Sequence, residues 1–252
     1  MPAPPSLAFD GVTKVYGAVR AVDGVTLTIP PGQFVALVGT SGSGKSTLLK
    51  TVNRLVVPDA GSVMIDGADV ANDAPHRLRR RVGYVFQNIG LFPHLSVGEN
   101  IAIAERLGAP PVDIAAALER VELPADIASR MPDQLSGGQR QRVGVARALA
   151  GDARLLLMDE PFGALDPVTR DALARRVRAL HERIGLTTVL VTHDMAEALL
   201  LADRVLVMAA GKIVADATPA ELMTGQAGDA ADALVAVPRE QAHALAALEK
   251  RA

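Results

Sequence analysis

Short apolar runs alternate with amphipathic stretches along the chain. Residues 7–13 (LAFDGVT), 25–29 (VTLTI) and 34–39 (FVALVG) are β-rich. The turns between them carry Gly17, Gly24 and Pro30-Pro31-Gly32, which predicts tight antiparallel connections. A glycine cluster follows, then TLLKTVNRL, where Leu48, Leu49, Val52 and Leu55 share one helix face. Residues 62–70 (SVMIDGADV) read as a further β stretch and 82–87 (VGYVFQ) as a buried strand. From 97 to about 150 the pattern is helical. Beyond that, 154–158 and 187–192 read as strands, 168–184 and 195–202 as helices, and 204–217 as a hairpin centred on Ala210-Gly211. Such alternation predicts a mostly parallel sheet with helices on both faces. The Ala-rich stretch 226–252 reads as one or two helices, the last opened by Pro238.

Composition narrows the classes. The 252 residues suit one large domain or two small ones, and 49% apolar content supplies a core, so wholesale disorder is excluded. Lys plus Arg (26) nearly balance Asp plus Glu (28), with no bias toward nucleic acid or a membrane surface. The basic run from Arg77 to Arg81, interrupted by Leu78, reads as a solvated helix face. The absence of cysteine excludes a disulfide framework, a thiolate metal site and a catalytic thiol, and suits a reducing compartment. With two Tyr, five Phe and no Trp, an aromatic platform for single strands is not expected. No apolar run approaches the ~18–20 residues of a membrane span, and the start MPAPPSLAFD has no basic-then-apolar signal region.

Chemistry enters at residue 39. Gly39-Thr40-Ser41-Gly42-Ser43-Gly44-Lys45-Ser46, followed by Thr47, matches G-x-x-x-x-G-K-[ST] between a predicted strand and a predicted helix. Glycines let successive N–H groups curl around a phosphate, and the helix N-terminus adds its positive end. Lys45 supplies a point charge for β/γ-phosphates and the Ser46 hydroxyl a ligand for Mg²⁺. Downstream, the apolar run LLLM ends in Asp159-Glu160. Asp159 is placed to meet Mg²⁺, and Glu160 to accept a proton from attacking water.

Between these lies Leu135-Ser136-Gly137-Gly138-Gln139, opening the helix QRQRVGVARALA. By itself Ser-Gly-Gly is either an ordinary helix cap or a second anion-binding turn without a lysine. As a full LSGGQ between a phosphate loop and a carboxylate strand it is specific. Here the chain resembles the ATP-binding cassette family, the nucleotide-binding subunits of ABC transporters, over nearly its whole length. The resemblance implies that Tyr16 stacks on adenine, that Gln87 contacts Mg²⁺ and begins a loop facing a membrane subunit, and that Asp166 lies in a loop crossing a dimer interface. It further implies that His193 contacts the γ-phosphate and Glu160. Each residue also has a plainer reading: a strand-edge tyrosine, a polar strand end, a helix cap before Pro167, and a structural histidine.

The family fold implied is a RecA-like P-loop NTPase α/β core over roughly 1–86 and 152–225, with an antiparallel β layer and an inserted helical subdomain near 87–151. The nucleotide-binding domain then covers 1–225, with 226–252 a short helical tail. ATP and Mg²⁺ are the cofactors implied. The implied partners are a second copy of the chain, integral-membrane permeases and a substrate-binding protein, with no nucleic acid. The implied location is peripheral, on the cytoplasmic face of the inner membrane. In the head-to-tail homodimer, Ser136, Gly137, Gly138 and Gln139 of one chain close on the nucleotide held by the other.

Residues 83–102, 146–170 and 191–205 look like the ATPase subunits of osmoprotectant importers of the glycine betaine, choline and carnitine type. Those importers often carry tandem regulatory domains. The roughly thirty residues that follow the core to Ala252 are too few for one, so sensing through such a module is not expected. Another amino acid or small solute is the alternative cargo. A DNA-repair cassette is disfavoured because Lys45 to Ser136 spans only 91 positions without sustained heptads. A P-loop kinase would leave LSGGQ and His193 without a role.

Overall fold

The computed structural model describes residues 3–226 except 88, 152 and 164, together with 228, 235 and 236. The first strands form a four-stranded antiparallel sheet ordered β2-β1-β4-β5, from β1 (Leu7–Tyr16), β2 (Val19–Ile29), β4 (Ala60–Ile65) and β5 (Ala68–Asp69). The predicted strand over 62–70 is thus broken. Asp66 and Gly67 adopt positive φ (52° and 74°), turning the chain into the β4–β5 hairpin.

The second sheet runs β10-β9-β3-β8-β7-β6. Its strands are β3 (Phe34–Val38), β6 (Val82–Val85), β7 (Leu155–Asp159), β8 (Thr187–Val191), β9 (Arg204–Ala209) and β10 (Lys212–Ala217). All neighbours are parallel except β9–β10, the hairpin expected at Ala210-Gly211. Its central strands are buried on both faces, so they read as unbroken apolar runs.

Alternation along those strands divides the core. Val35, Leu37, Leu155, Leu157, Val189 and Val191 face the antiparallel sheet together with α1 (Lys45–Val52) and α2 (Pro75–Arg81). Phe34, Ala36, Leu156, Met158 and Leu190 face the opposite layer. That layer holds α3 (Val97–Ile101), α4 (Ile114–Arg120), α5 (Gly137–Ala148), α6 (Pro167–Ile184), α7 (Met195–Leu201) and α8 (Pro219–Thr224). Helices on both faces are therefore found as predicted. Truncating a fully buried residue such as Leu156 to Ala costs about 2–5 kcal/mol. On α2 only Leu78 is buried, so the basic run is a solvated face.

The stretch from 97 to about 150 is less continuous than its periodicity suggests. Gly108 caps one helical piece in the left-handed region, Pro110-Pro111 separates it from α4, and Pro124 and Pro132 stop the preceding segments and open short 3₁₀ turns. The helices predicted over 226–252 lie outside the described residues, apart from residues 226, 228, 235 and 236; Val235 is buried in the core. Among the described residues, no helix is long and apolar enough to cross a membrane.

Candidate functional site at the C-terminal ends of the parallel strands

Because β3, β6, β7 and β8 are parallel, the residues that follow them all emerge at one sheet edge. Open α/β sheets bind ligands at that edge. The loop 39–44 leaves β3 and enters α1 through Gly44, whose φ is 105°. A Cβ on Gly44 would lie 1.9 Å from the Ala21 carbonyl oxygen, and one on Gly39 would lie 2.1 Å from that of Met208. Backbone from β2 and β9 therefore closes on this loop so tightly that only glycine fits. The β9–β10 turn braces it further, Gly211 N–H donating to the Ser43 carbonyl at 3.1 Å.

The first N–H groups of a helix have no intrahelical acceptor, and on α1 no side-chain cap takes them up. Lys45 is buried, with Nζ donating to the carbonyls of Gly39 and Thr40 (2.8 Å each) and to Ser43 Oγ (3.2 Å). Burial pulls its ammonium below the ordinary lysine range, while the Glu160 and Asp159 carboxylates act against that. Thr40, Ser41 and Gly42 line the open side of the loop, and Thr47 is half-buried on α1.

Ser46 Oγ donates to Asp159 Oδ1 at 2.7 Å. Asp159 Oδ2 accepts from the Tyr84 hydroxyl at 3.2 Å and stands 3.4 Å from Lys50 Nζ. Burial, the Asp159 charge and their hydrogen bond push the Tyr84 phenol upward, so it stays a donor. Glu160, one residue on, has φ 46° and donates its N–H to the Val191 carbonyl at 2.9 Å, which turns its side chain away from the strand. Glu160 Oε2 accepts from Gln87 Nε2 at 3.1 Å and lies 3.3 Å from His193 Nδ1. The strand ends thus gather a lysine-bearing loop, a hydroxyl, two carboxylates, an amide and an imidazole. That set can hold a polyphosphate and its counter-cation and take a proton from water.

The remaining predicted residues lie apart from this cluster. Ser136 caps α5, accepting from Gln139 N–H at 3.2 Å while Gln139 Oε1 accepts from Ser136 N–H at 2.9 Å. A Cβ on Gly138 would lie 2.8 Å from Thr169 Cγ2, and one on Gly137 3.3 Å from Leu165 Cδ2. Asp166 is exposed and caps α6 by accepting from Thr169 N–H at 3.0 Å, which holds its carboxyl below the usual range. Tyr16 ends β1 half-exposed, its ring 5.4 Å from Lys14 Nζ.

Tyr84 and Lys50 escaped the sequence reading. Their only signals were a tyrosine inside an apolar strand and a lysine on α1, the helix after the glycine loop, both ordinary by composition.

Known proteins resemble this chain in sequence and fold. The ABC transporter family profile matches residues 22–163. The glycine betaine/carnitine/choline transport ATP-binding protein OpuCA of Bacillus subtilis is 44% identical over 229 residues, covering 88% of this chain and 60% of the relative. The glycine betaine uptake system ATP-binding protein YehX of Escherichia coli is 47% identical over 228 residues, covering 88% and 74%. The chain thus spans about three-fifths of the length of its Bacillus relative. The dimeric ATP-binding cassette MJ0796, solved with ADP and Pi in a post-hydrolysis state, superposes with a TM-score of 0.75 at 32% identity, covering 84% of this chain and 98% of that one. Profile, relatives and fold agree: the chain belongs to the ABC transporter family.

Proposed function

We propose that this chain is the ATP-hydrolysing subunit of an ABC importer that powers uptake of a quaternary amine, of the glycine betaine, choline or carnitine type, through separate membrane subunits. The observation that carries the hydrolytic half is Glu160, held between Gln87 and His193 next to the Ser46–Asp159 pair. The amine half rests on the 44–47% identity to OpuCA and YehX.

In this reading Gly39 to Thr47 wrap the ATP phosphates and Lys45 meets the β/γ-phosphate charge. Tyr16 supplies a face for the adenine ring. Ser46 Oγ and Asp159 Oδ1, two hard oxygens 2.7 Å apart, fit Mg²⁺ and would hold it together with Gln87. When bound, Mg²⁺ neutralises charge developing on the phosphate oxygens. Glu160 accepts a proton from water as the water oxygen bonds to the γ-phosphorus and the bond to the β,γ-bridging oxygen breaks, leaving ADP and phosphate. His193 orients Glu160 and the γ-phosphate.

A second copy supplies Ser136 to Gln139 and the Asp166 loop across a two-fold interface. Residues 1–225 act as one nucleotide-binding domain with 87–151 as its helical subdomain. The assembly works with permeases and a substrate-binding protein at the cytoplasmic face of the inner membrane.

The test has two arms. Purified chain should hydrolyse Mg-ATP, and Glu160→Gln should bind it but not turn it over; wild-type turnover in that variant removes the hydrolytic reading. Cells lacking the gene should lose uptake of labelled glycine betaine, choline or carnitine and regain it with the wild-type gene but not with Glu160→Gln. Unchanged uptake of all three amines moves the cargo to another small solute.

A further inference from the structure

His193 is half of the grip on Glu160, yet its own ring is largely exposed, with 64% of the side chain accessible. What holds it is the backbone on either side. Thr192, immediately before it, donates its hydroxyl to Glu197 Oε2 at 2.6 Å. Asp194, immediately after it, donates its N–H back to Thr192 Oγ1 at 3.0 Å and caps α7 by accepting from Ala196 N–H at 2.8 Å. Both carboxylates meet one cation. Arg170, in the first turn of α6, donates from Nη1 to Asp194 Oδ2 at 3.4 Å, and its Nε lies 3.8 Å from Glu197 Oε1. Its Nη2 donates to the Leu165 carbonyl at 3.1 Å, in the residue before Asp166. A single guanidinium therefore joins the segment entering α6 to Asp194 directly and to Thr192 through Glu197.

This arrangement is costly if it only packs helices. Glu197 is 8% exposed, and burial raises its carboxyl above the ordinary range. Burying a carboxylate beside a loosely matched arginine is often no more stable than an apolar pair of similar volume. Polar groups kept in spite of that cost commonly mark function.

We infer that Arg170 and Glu197 are positioning residues that set the His193 imidazole against Glu160, and that through the Leu165 carbonyl they tie that setting to the loop carrying Asp166. The inference rests on the proposed hydrolytic roles of His193 and Glu160. Neither residue of the pair touches the reacting atoms. Their effect is on turnover, because a displaced imidazole misorients the groups that react while leaving the phosphate loop intact.

The experiment uses the full purified chain carrying Arg170→Met, and the charge-balanced Arg170→Met/Glu197→Gln, which removes the unpaired buried carboxylate and protects the fold. Both variants should lose about tenfold to a hundredfold in kcat, with KM for ATP within about twofold of wild type. The double variant should unfold at the wild-type temperature. In ¹⁵N-histidine spectra, with His193→Gln identifying the resonance, the His193 signal should move in both variants. A double variant with wild-type kcat, an unmoved His193 resonance, or a loss confined to KM overturns the inference. Glu160→Gln run alongside separates the failures. Full turnover in that variant defeats the hydrolytic reading, whereas an inactive Glu160→Gln beside a fully active double variant defeats only this inference.

Discussion

Two glycine-rich turns open helices here, the 39–44 loop before α1 and the Ser136–Gln139 turn before α5, and they differ in what their polar groups are doing. In the first, the glycines are hemmed in by backbone of β2 and β9, no side chain caps the helix, and a buried ammonium sits inside the curve. In the second, Ser136 and Gln139 satisfy each other in a capping box, and the glycines are kept small by Thr169 and Leu165 of the neighbouring segment. The first turn gathers within one chain the groups that a phosphate cradle needs. The second has an exposed serine, a helix N-terminus and, on the Leu135 carbonyl, the Arg140 guanidinium, but no buried ammonium inside its curve, so a role with nucleotide needs phosphate charge brought to it from outside.

Four changes break or sharpen this contrast. Lys45→Ala is expected to have the largest effect, a loss of about 10²–10³ in turnover with weakened nucleotide binding, because phosphate charge in the cradle is left uncompensated. ATPase assays and nucleotide titration check it. Ser136→Arg should leave ATP binding by the monomer unchanged. Placed in the Glu160→Gln background it should abolish ATP-driven dimerisation, read by size-exclusion chromatography with and without Mg-ATP. A dimer that persists in the Ser136→Arg chain reduces the second turn to a helix cap.

Gly138→Ala pushes a methyl against Thr169 Cγ2 and should destabilise the fold by about 1–3 kcal/mol. Thr169→Ser, which deletes that methyl, should recover most of the loss in thermal unfolding. The smallest expected effect is that of Tyr84→Phe. With one of the Asp159 donors gone, the Mg²⁺ concentration needed for half-maximal nucleotide binding should shift by about twofold to fivefold, the low end of what one net hydrogen bond contributes.

The same contrast explains what was legible beforehand. The 39–46 loop announced itself because its chemistry lies in residue types at fixed spacing in one short segment. The carboxylates Asp159 and Glu160 did so because two acids ending an apolar strand need a cation or water. The strands of the parallel sheet were visible as apolar runs, since burial on both faces removes polar alternation. The helical stretch from 97 to about 150 was over-read, because apolar spacing persists across prolines that limit the hydrogen-bond ladder.

The amino-acid sequence alone determined the α/β alternation, the phosphate loop, the acidic strand end and the resemblance to the ABC family. These are local properties, carried by period, composition and spacing. Only the tertiary structure decided that Tyr84 and Lys50 share Asp159, that Gly138 is held small by Thr169, and that Arg170 reaches Asp194 and Glu197. Each of those contacts joins segments far apart in the chain. Their register is set by parallel strand pairing and by how α5, α6 and α7 settle on the sheet, and no local pattern of residues encodes it.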